Sequence, residues 1–178
     1  MDIEKVEEIL LEKEKALDVY LREERGIVRL CAKAIKEVHR GNIEEAEQYV
    51  GRARDKFSLL PEIPKSRAKH SEQEYVEALS LIAIYKGEEV PGHEEMEVGP
   101  DAYLLGILDC MGELKRLMLE CLRKGKKDNA EKYFSRMEEI YTETGHLHFS
   151  SALIPEFRKK QDVARIQLEN ARAKITWE

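Results

Sequence analysis

The sequence predicts an all-α protein, a single-domain antiparallel bundle of about six helices over residues 1–178. Three observations carry this expectation. Charged residues make up 37% of the chain and Pro occurs only five times, so strong helix formers abound and breakers are few. Apolar residues recur at the three-to-four spacing of a helix face, and no stretch shows the strict alternation of a strand. The strongest punctuation falls between the periodic stretches, at Gly41, Pro61, Pro64, Pro91-Gly92, Gly99-Pro100, Gly125 and Gly145. A chain of 178 residues is long enough to bury a proper core.

The first helix is expected over Ile3–Arg40, with Val6, Ile9, Leu10, Leu17, Leu21, Val28, Leu30 and Ile35 on its apolar face. Gly41 ends it. Asn42, with Glu45 three residues on, predicts a capping box for the second helix. That helix carries Ile43, Ala46, Tyr49, Val50, Ala53 and Phe57 and stops near Pro61 and Pro64. The third runs from Ser66 to Lys86, its face formed by Tyr75, Leu79, Ile82 and Ala83, and a loop follows from Gly87 to Gly99. Gly99-Pro100-Asp101 opens the fourth helix with Pro where its missing N–H costs nothing, and Lys124-Gly125 closes it. A fifth helix runs from Asp128 to Thr144 and a sixth from Pro155 to Ile175. Arg40-Gly41 and Lys124-Gly125 are followed by similar residues, which predicts two corners of the same chemistry rather than a true repeat.

Composition narrows the function. The net charge is −6, so a simple exposed basic surface for nucleic acid is excluded, and any such surface must concentrate its cations on one internal face. Cys31, Cys110 and Cys121 lack metal-ligand spacing, which predicts buried reduced thiols; the odd count and the absence of a signal peptide lead us to expect the cytoplasm. No apolar run is long enough to span a membrane. Phosphate-loop, Ser/His/Asp and Cys/His patterns are absent. A di-iron bundle needs two Glu-x-x-His motifs, and only Glu143-Thr144-Gly145-His146 matches. His39, His93, His146 and His148 fall near helix ends and are expected at the surface.

Two acidic pairs stand out. Glu74 and Glu77, at i and i+3, share one face of the third helix; Asp109 and Glu113, at i and i+4, share one face of the fourth. Asp109 interrupts an apolar run, Leu104-Leu105-Gly106-Ile107-Leu108-Asp109-Cys110-Met111, where a charge is costly unless paired or metal-bound. Gly106 and Gly112 weaken a helix interior, and such glycines permit close helix approach. Four carboxylates facing one another would repel unless protonated or neutralised by a cation. Oxygen donors suit Mg²⁺ or Mn²⁺, and ions so held activate water in phosphodiester hydrolysis. Ordinary surface ion pairing is the alternative use of such acids, and spacing alone leaves it open.

Longer motifs carry a resemblance. Gln73-Glu74-Tyr75-Val76-Glu77-Ala78 resembles the Gln-Glu-Phe-Val-Glu-Ala segment of Trax. Tyr103-Leu104-Leu105-Gly106-Ile107-Leu108-Asp109-Cys110-Met111-Gly112-Glu113-Leu114-Lys115-Arg116 is similar to the Tyr-Leu-Leu-Gly and Asp-x-x-Gly-Glu-Leu-x-Arg run of the same proteins. Phe157-Arg158-Lys159-Lys160-Gln161-Asp162 resembles their last-helix Leu-Arg-Lys-Lys/Arg-x-Asp segment. The sequence thus resembles the translin/Trax family, on its catalytic, Trax-like side. The resemblance implies a translin-like fold and a Mg²⁺- or Mn²⁺-dependent endoribonuclease, with Glu74, Glu77, Asp109 and Glu113 as catalytic and metal-binding residues. It implies a homo-oligomeric shell, an octamer, that cuts RNA in its interior, with single-stranded DNA as a second candidate partner. The alternative is a non-catalytic RNA- or single-stranded-DNA-binding shell, as in the translin branch. Arg67, Lys69 and His70, just ahead of the acidic third helix, and the Arg22, Arg25, Arg29 stripe on the first are the basic residues expected to contact phosphates.

Overall fold

A computed structural model describes residues 2–61 and 69–175. Six α-helices follow in order among the described residues: α1 (Ile3–Arg40), α2 (Ile43–Phe57), α3 (Lys69–Lys86), α4 (Pro100–Arg123), α5 (Lys127–Gly145) and α6 (Phe157–Ile175). No strand occurs among the described residues. The all-α expectation therefore holds, with small shifts at the ends. The third helix begins at Lys69, Ser66 lying outside the described residues, and the sixth starts at Phe157 rather than Pro155.

Two corners share one solution, as their sequences predict. Gly41 takes a left-handed conformation (φ 84°), its N–H donating to Val38 O, while the Asn42 N–H reaches back to Glu37 O. Gly125 (φ 68°) does the same, donating to Leu122 O, with the Lys126 N–H on Cys121 O. Both satisfy the last carbonyls of a helix at a position where a side chain would be strained. The capping box at Asn42 does not form. Its side chain makes no cap hydrogen bond and instead donates from Nδ2 to Glu37 Oε2 at 2.7 Å. The buried Glu37 carboxylate, which also accepts from Arg40 Nη1 at 2.7 Å, is the better acceptor because charge-assisted bonds are the stronger ones.

α4 is the central element. It packs against α3 on one side and α5 and α6 on others, while α1 lies against α2 and α3. Eleven of its residues are buried, among them Leu105, Leu108, Met111, Leu114 and Met118. They join Ile27, Cys31 and Val38 of α1, Val76 and Leu81 of α3, and Leu168 of α6 in one core. Cys31 and Cys110 are buried free thiols as expected, and Cys121 is partly exposed.

The beginning of α1 is exposed. Val6, Ile9 and Leu10, on the apolar face expected of the first helix, are 50%, 45% and 58% exposed, and Leu17 is only half-buried. Every described residue through Lys15 is exposed, and the first buried side chain is Tyr20. Periodicity encodes an apolar face without saying what covers it. Among the described residues nothing covers this one. Among the described residues no helix is long and apolar enough to cross a membrane.

Candidate functional site

The geometry of the site starts from Gly106. A Cβ built there would lie 2.6 Å from Gln73 O and 2.7 Å from Val76 Cβ, so only glycine lets α3 and α4 approach this closely. Gln73 and Val76 flank Glu74 and precede Glu77; Asp109 lies three residues after Gly106 on α4. The close contact therefore sets the two acidic faces against each other. Gly112 plays a different part from the one expected of it. No atom lies within 4 Å of a Cβ built there, and it forms the floor of open grooves instead.

The four carboxylates respond to one another. Glu77 sits deepest. Burial, then Glu74, Asp109 and Glu113, push its pKa from 4.5 up to about 8. Burial also raises that of Glu74, with Asp109 adding to the rise and His70, 3.9 Å away, opposing it. Glu113 moves the other way because His39 of α1 hydrogen-bonds to its Oε2. From α6, Lys160 Nζ donates to Asp109 Oδ2. Cys31 and Cys110 line the buried side. Burial first, and the neighbouring acids second, push both thiols up, Cys31 to about 12, which keeps them protonated and removes them as nucleophiles or ligands.

The donor set consists of hard carboxylate oxygens and fits Mg²⁺ or Mn²⁺. As they stand, no three His, Cys, Asp or Glu side chains among the described residues are placed to share an ion. Two of the four acids are instead held by internal partners, Lys160 and His39.

Neither partner was singled out as a site residue from the sequence. His39, expected at the surface, has a side chain only 10% exposed. Its ring turns from the end of α1 to Glu113 of α4 instead of to solvent. Lys160 lies within the Arg-Lys-Lys motif of the last helix, which was the available signal. A third feature also escaped. Lys36, Arg40, Lys115, Arg116 and Arg123 line a groove of about 690 Å³ beside the carboxylates, and Gly112 and Gln167 join it to a smaller one of about 230 Å³ that reaches Asp109 and Lys160. Glu120 lines the groove too and pairs with Arg123 at 2.7 Å, and Arg40 pairs with Glu37 at 2.7 Å.

The basic residues expected from the sequence fare unevenly. His70 comes to the site through Glu74. Arg67 lies outside the described residues, and Lys69 opens α3 with its side chain undescribed. Arg22, Arg25 and Arg29 are exposed on α1, Arg22 paired with Glu23 at 3.3 Å.

The fold and site define a helical-bundle protein whose central helices present paired carboxylates beside a basic groove. Comparison with known proteins places it further. The Translin family model matches residues 28–171, and the chain belongs to that family. An uncharacterised protein of Methanocaldococcus jannaschii is 28% identical over 173 residues, 93% of this chain and 78% of that protein. Among solved structures, AfC3PO in complex with duplex RNA superposes with a TM-score of 0.88 at 31% identity, covering 99% of this chain and 95% of that one. AfC3PO alone gives 0.87 at 32%, covering 99% and 96%. Apo-NeC3PO gives 0.85 at 23%, covering 99% and 96%, a likeness of fold.

Proposed function

We propose that this protein is a metal-dependent endoribonuclease of the Trax-like branch, acting within a homo-oligomeric shell, an octamer. The observation that carries the reading is Glu77, half-buried beside three further carboxylates of α3 and α4, the two helices locked together at Gly106. Holding like charges together costs stability, and proteins tolerate that cost chiefly at functional sites. The similarity to AfC3PO, solved with duplex RNA, supports RNA as the partner. The exposed apolar stripe of Ile3, Val6, Ile9 and Leu10 supports self-association, because an uncovered face of that size is an interaction surface.

In this reading Glu74, Glu77, Asp109 and Glu113 hold the Mg²⁺ or Mn²⁺. The ion, when bound, supplies an activated water and stabilises charge on the phosphate. Lys36, Arg40, Lys115, Arg116 and Arg123 bind the phosphates on either side of the bond to be cut and orient the strand across Gly112. Gly112 leaves room for that strand, since no side chain fills the floor. Single-stranded DNA presents the same phosphates and is a second candidate ligand.

A non-catalytic RNA- or single-stranded-DNA-binding shell is the second reading. It draws on the engagement of Asp109 by Lys160 and Glu113 by His39, which gives both acids a partner without a metal. One experiment separates the two. The purified protein is incubated with end-labelled single-stranded RNA in Mg²⁺ or EDTA, beside Asp109→Asn. The nuclease reading expects Mg²⁺-dependent fragments and a loss of at least about 100-fold in the variant, the scale of removing one charge-stabilising group. RNA retained uncut under every condition establishes the shell reading instead.

A further inference from the structure

The Arg158-Lys159-Lys160-Gln161 motif has so far no part in the function, yet the structure gives it a place. Gln161 Nε2 donates to Thr144 O at 2.7 Å and to Leu147 O at 3.0 Å, clamping the first turn of α6 to the end of α5. Phe157, buried at 2% exposure, seats the same turn in the core. This anchoring fixes the backbone of Lys160 and aims its side chain at α4, where Nζ meets Asp109 Oδ2. The same ammonium lies within electrostatic reach of Glu74 and Glu77.

We infer that Lys160 is an internal counterion of the metal-free site, a positioning residue that holds Asp109 until a divalent cation displaces it. The inference rests on the metal-dependent reading above. An ion bound by the four acids and the Lys160 ammonium compete for the same oxygen and for the same negative field. A divalent charge wins that competition because it interacts with all the carboxylates at once, while one ammonium neutralises a single charge. The displaced side chain has somewhere to go. Lys160 and Asp109 both line the open groove of about 230 Å³, and the Lys160 side chain is 20% exposed. A flexible four-carbon stem carrying a point charge suits such exchange, whereas a planar guanidinium would hold the carboxylate with two bonds. The counterion also explains why the acids stay folded together without metal. Lys160 holds Asp109 and His39 holds Glu113.

The test reads metal affinity rather than cleavage. Mn²⁺ is titrated calorimetrically into the full chain after EDTA treatment and dialysis, for the wild type, Lys160→Gln, Lys160→Met, Lys160→Arg and Asp109→Asn. Circular dichroism melting of each metal-free protein reports folding. Removing the competing charge in Lys160→Gln is expected to tighten Mn²⁺ binding by about fivefold, the scale of a partly exposed ion pair, and to lower the metal-free melting temperature. Lys160→Met, which keeps the buried stem, repeats the comparison if the Gln variant does not fold. In Lys160→Arg, binding of Mn²⁺ should match or fall below the wild type. Wild-type binding that is unchanged or weakened in both neutral variants overturns the counterion role and leaves the metal site standing. If neither the wild type nor any Lys160 variant binds Mn²⁺, the metal-dependent reading falls and the counterion role falls with it.

Discussion

Replacing Glu77 with Gln should flatten the dependence of stability on pH. In the unfolded chain this carboxyl ionises near 4.5; in the folded protein burial and the charges of Glu74, Asp109 and Glu113 defer ionisation to about 8. The folded state therefore binds more protons than the unfolded state between those limits, and stability falls as pH rises through that window. It is highest below the unfolded value and reaches its full deficit above about 8. At ~1.4 kcal/mol for each pH unit, the rise from 4.5 to about 8 bounds the effect at ~5 kcal/mol. Glu77 also faces Lys160 of α6, which offsets part of the repulsion, and its titration is shared with its acidic neighbours, so ~2 kcal/mol is the expected size. Cys31 and Cys110 also lie beside the cluster, and they are neutral throughout this range. The assay is urea unfolding followed by circular dichroism in EDTA from pH 5 to 9, comparing the wild type with Glu77→Gln. The variant should match the wild type near pH 5 and exceed it by ~2 kcal/mol at pH 9. A difference that stays constant within about 0.5 kcal/mol across the range refutes the placement of Glu77 among ionised neighbours.

Other perturbations test the parts that build the site. Gly106→Ala should destabilise by ~2–3 kcal/mol or more, because its methyl meets Gln73 O and Val76 at 2.6–2.7 Å; Gly112→Ala, with open space around it, should be neutral or gain up to ~1 kcal/mol, and equal costs in thermal melts would contradict the difference drawn between them. Asn42→Ala should cost ~1 kcal/mol in urea unfolding through loss of its bond to Glu37, not through a lost cap, so a normal loss with Glu37 already replaced by Gln would argue against that partner. Charge reversal of Lys115 and Arg116 to Glu should weaken binding of labelled RNA and reduce the slope of log affinity against log salt by about 2, and an unchanged slope would remove the groove from the RNA path.

The residues differ in how openly the sequence declared them. Helices and corners were legible because local chemistry decides them: Gly41 and Gly125 end helices whatever lies nearby. The pairing of Glu74 and Glu77 with Asp109 and Glu113 was legible because helical spacing puts each pair on one face, and Gly106 marked the approach that unites them. What depends on a distant helix was not. Lys160 reaches Asp109 across 51 positions and His39 reaches Glu113 across 74, and no local pattern encodes either contact. Asn42 looked like a cap because its spacing to Glu45 fits one, but its amide is turned to donate from Nδ2 to the buried Glu37 carboxylate and makes no cap bond. The apolar start of α1 was legible as a helix face by its period, but period does not decide burial, and Val6, Ile9 and Leu10 are exposed.

The central claim is that carboxylates of α3 and α4 share a divalent cation. Crystals grown without metal and then soaked in Mn²⁺ test it by anomalous diffraction. The account predicts a single strong anomalous peak between Glu74, Glu77, Asp109 and Glu113, about 2.2 Å from their oxygens, with Lys160 withdrawn from Asp109. Crystals that take up Mn²⁺ elsewhere, with Lys160 still bonded to Asp109 and no peak among these acids, would contradict it.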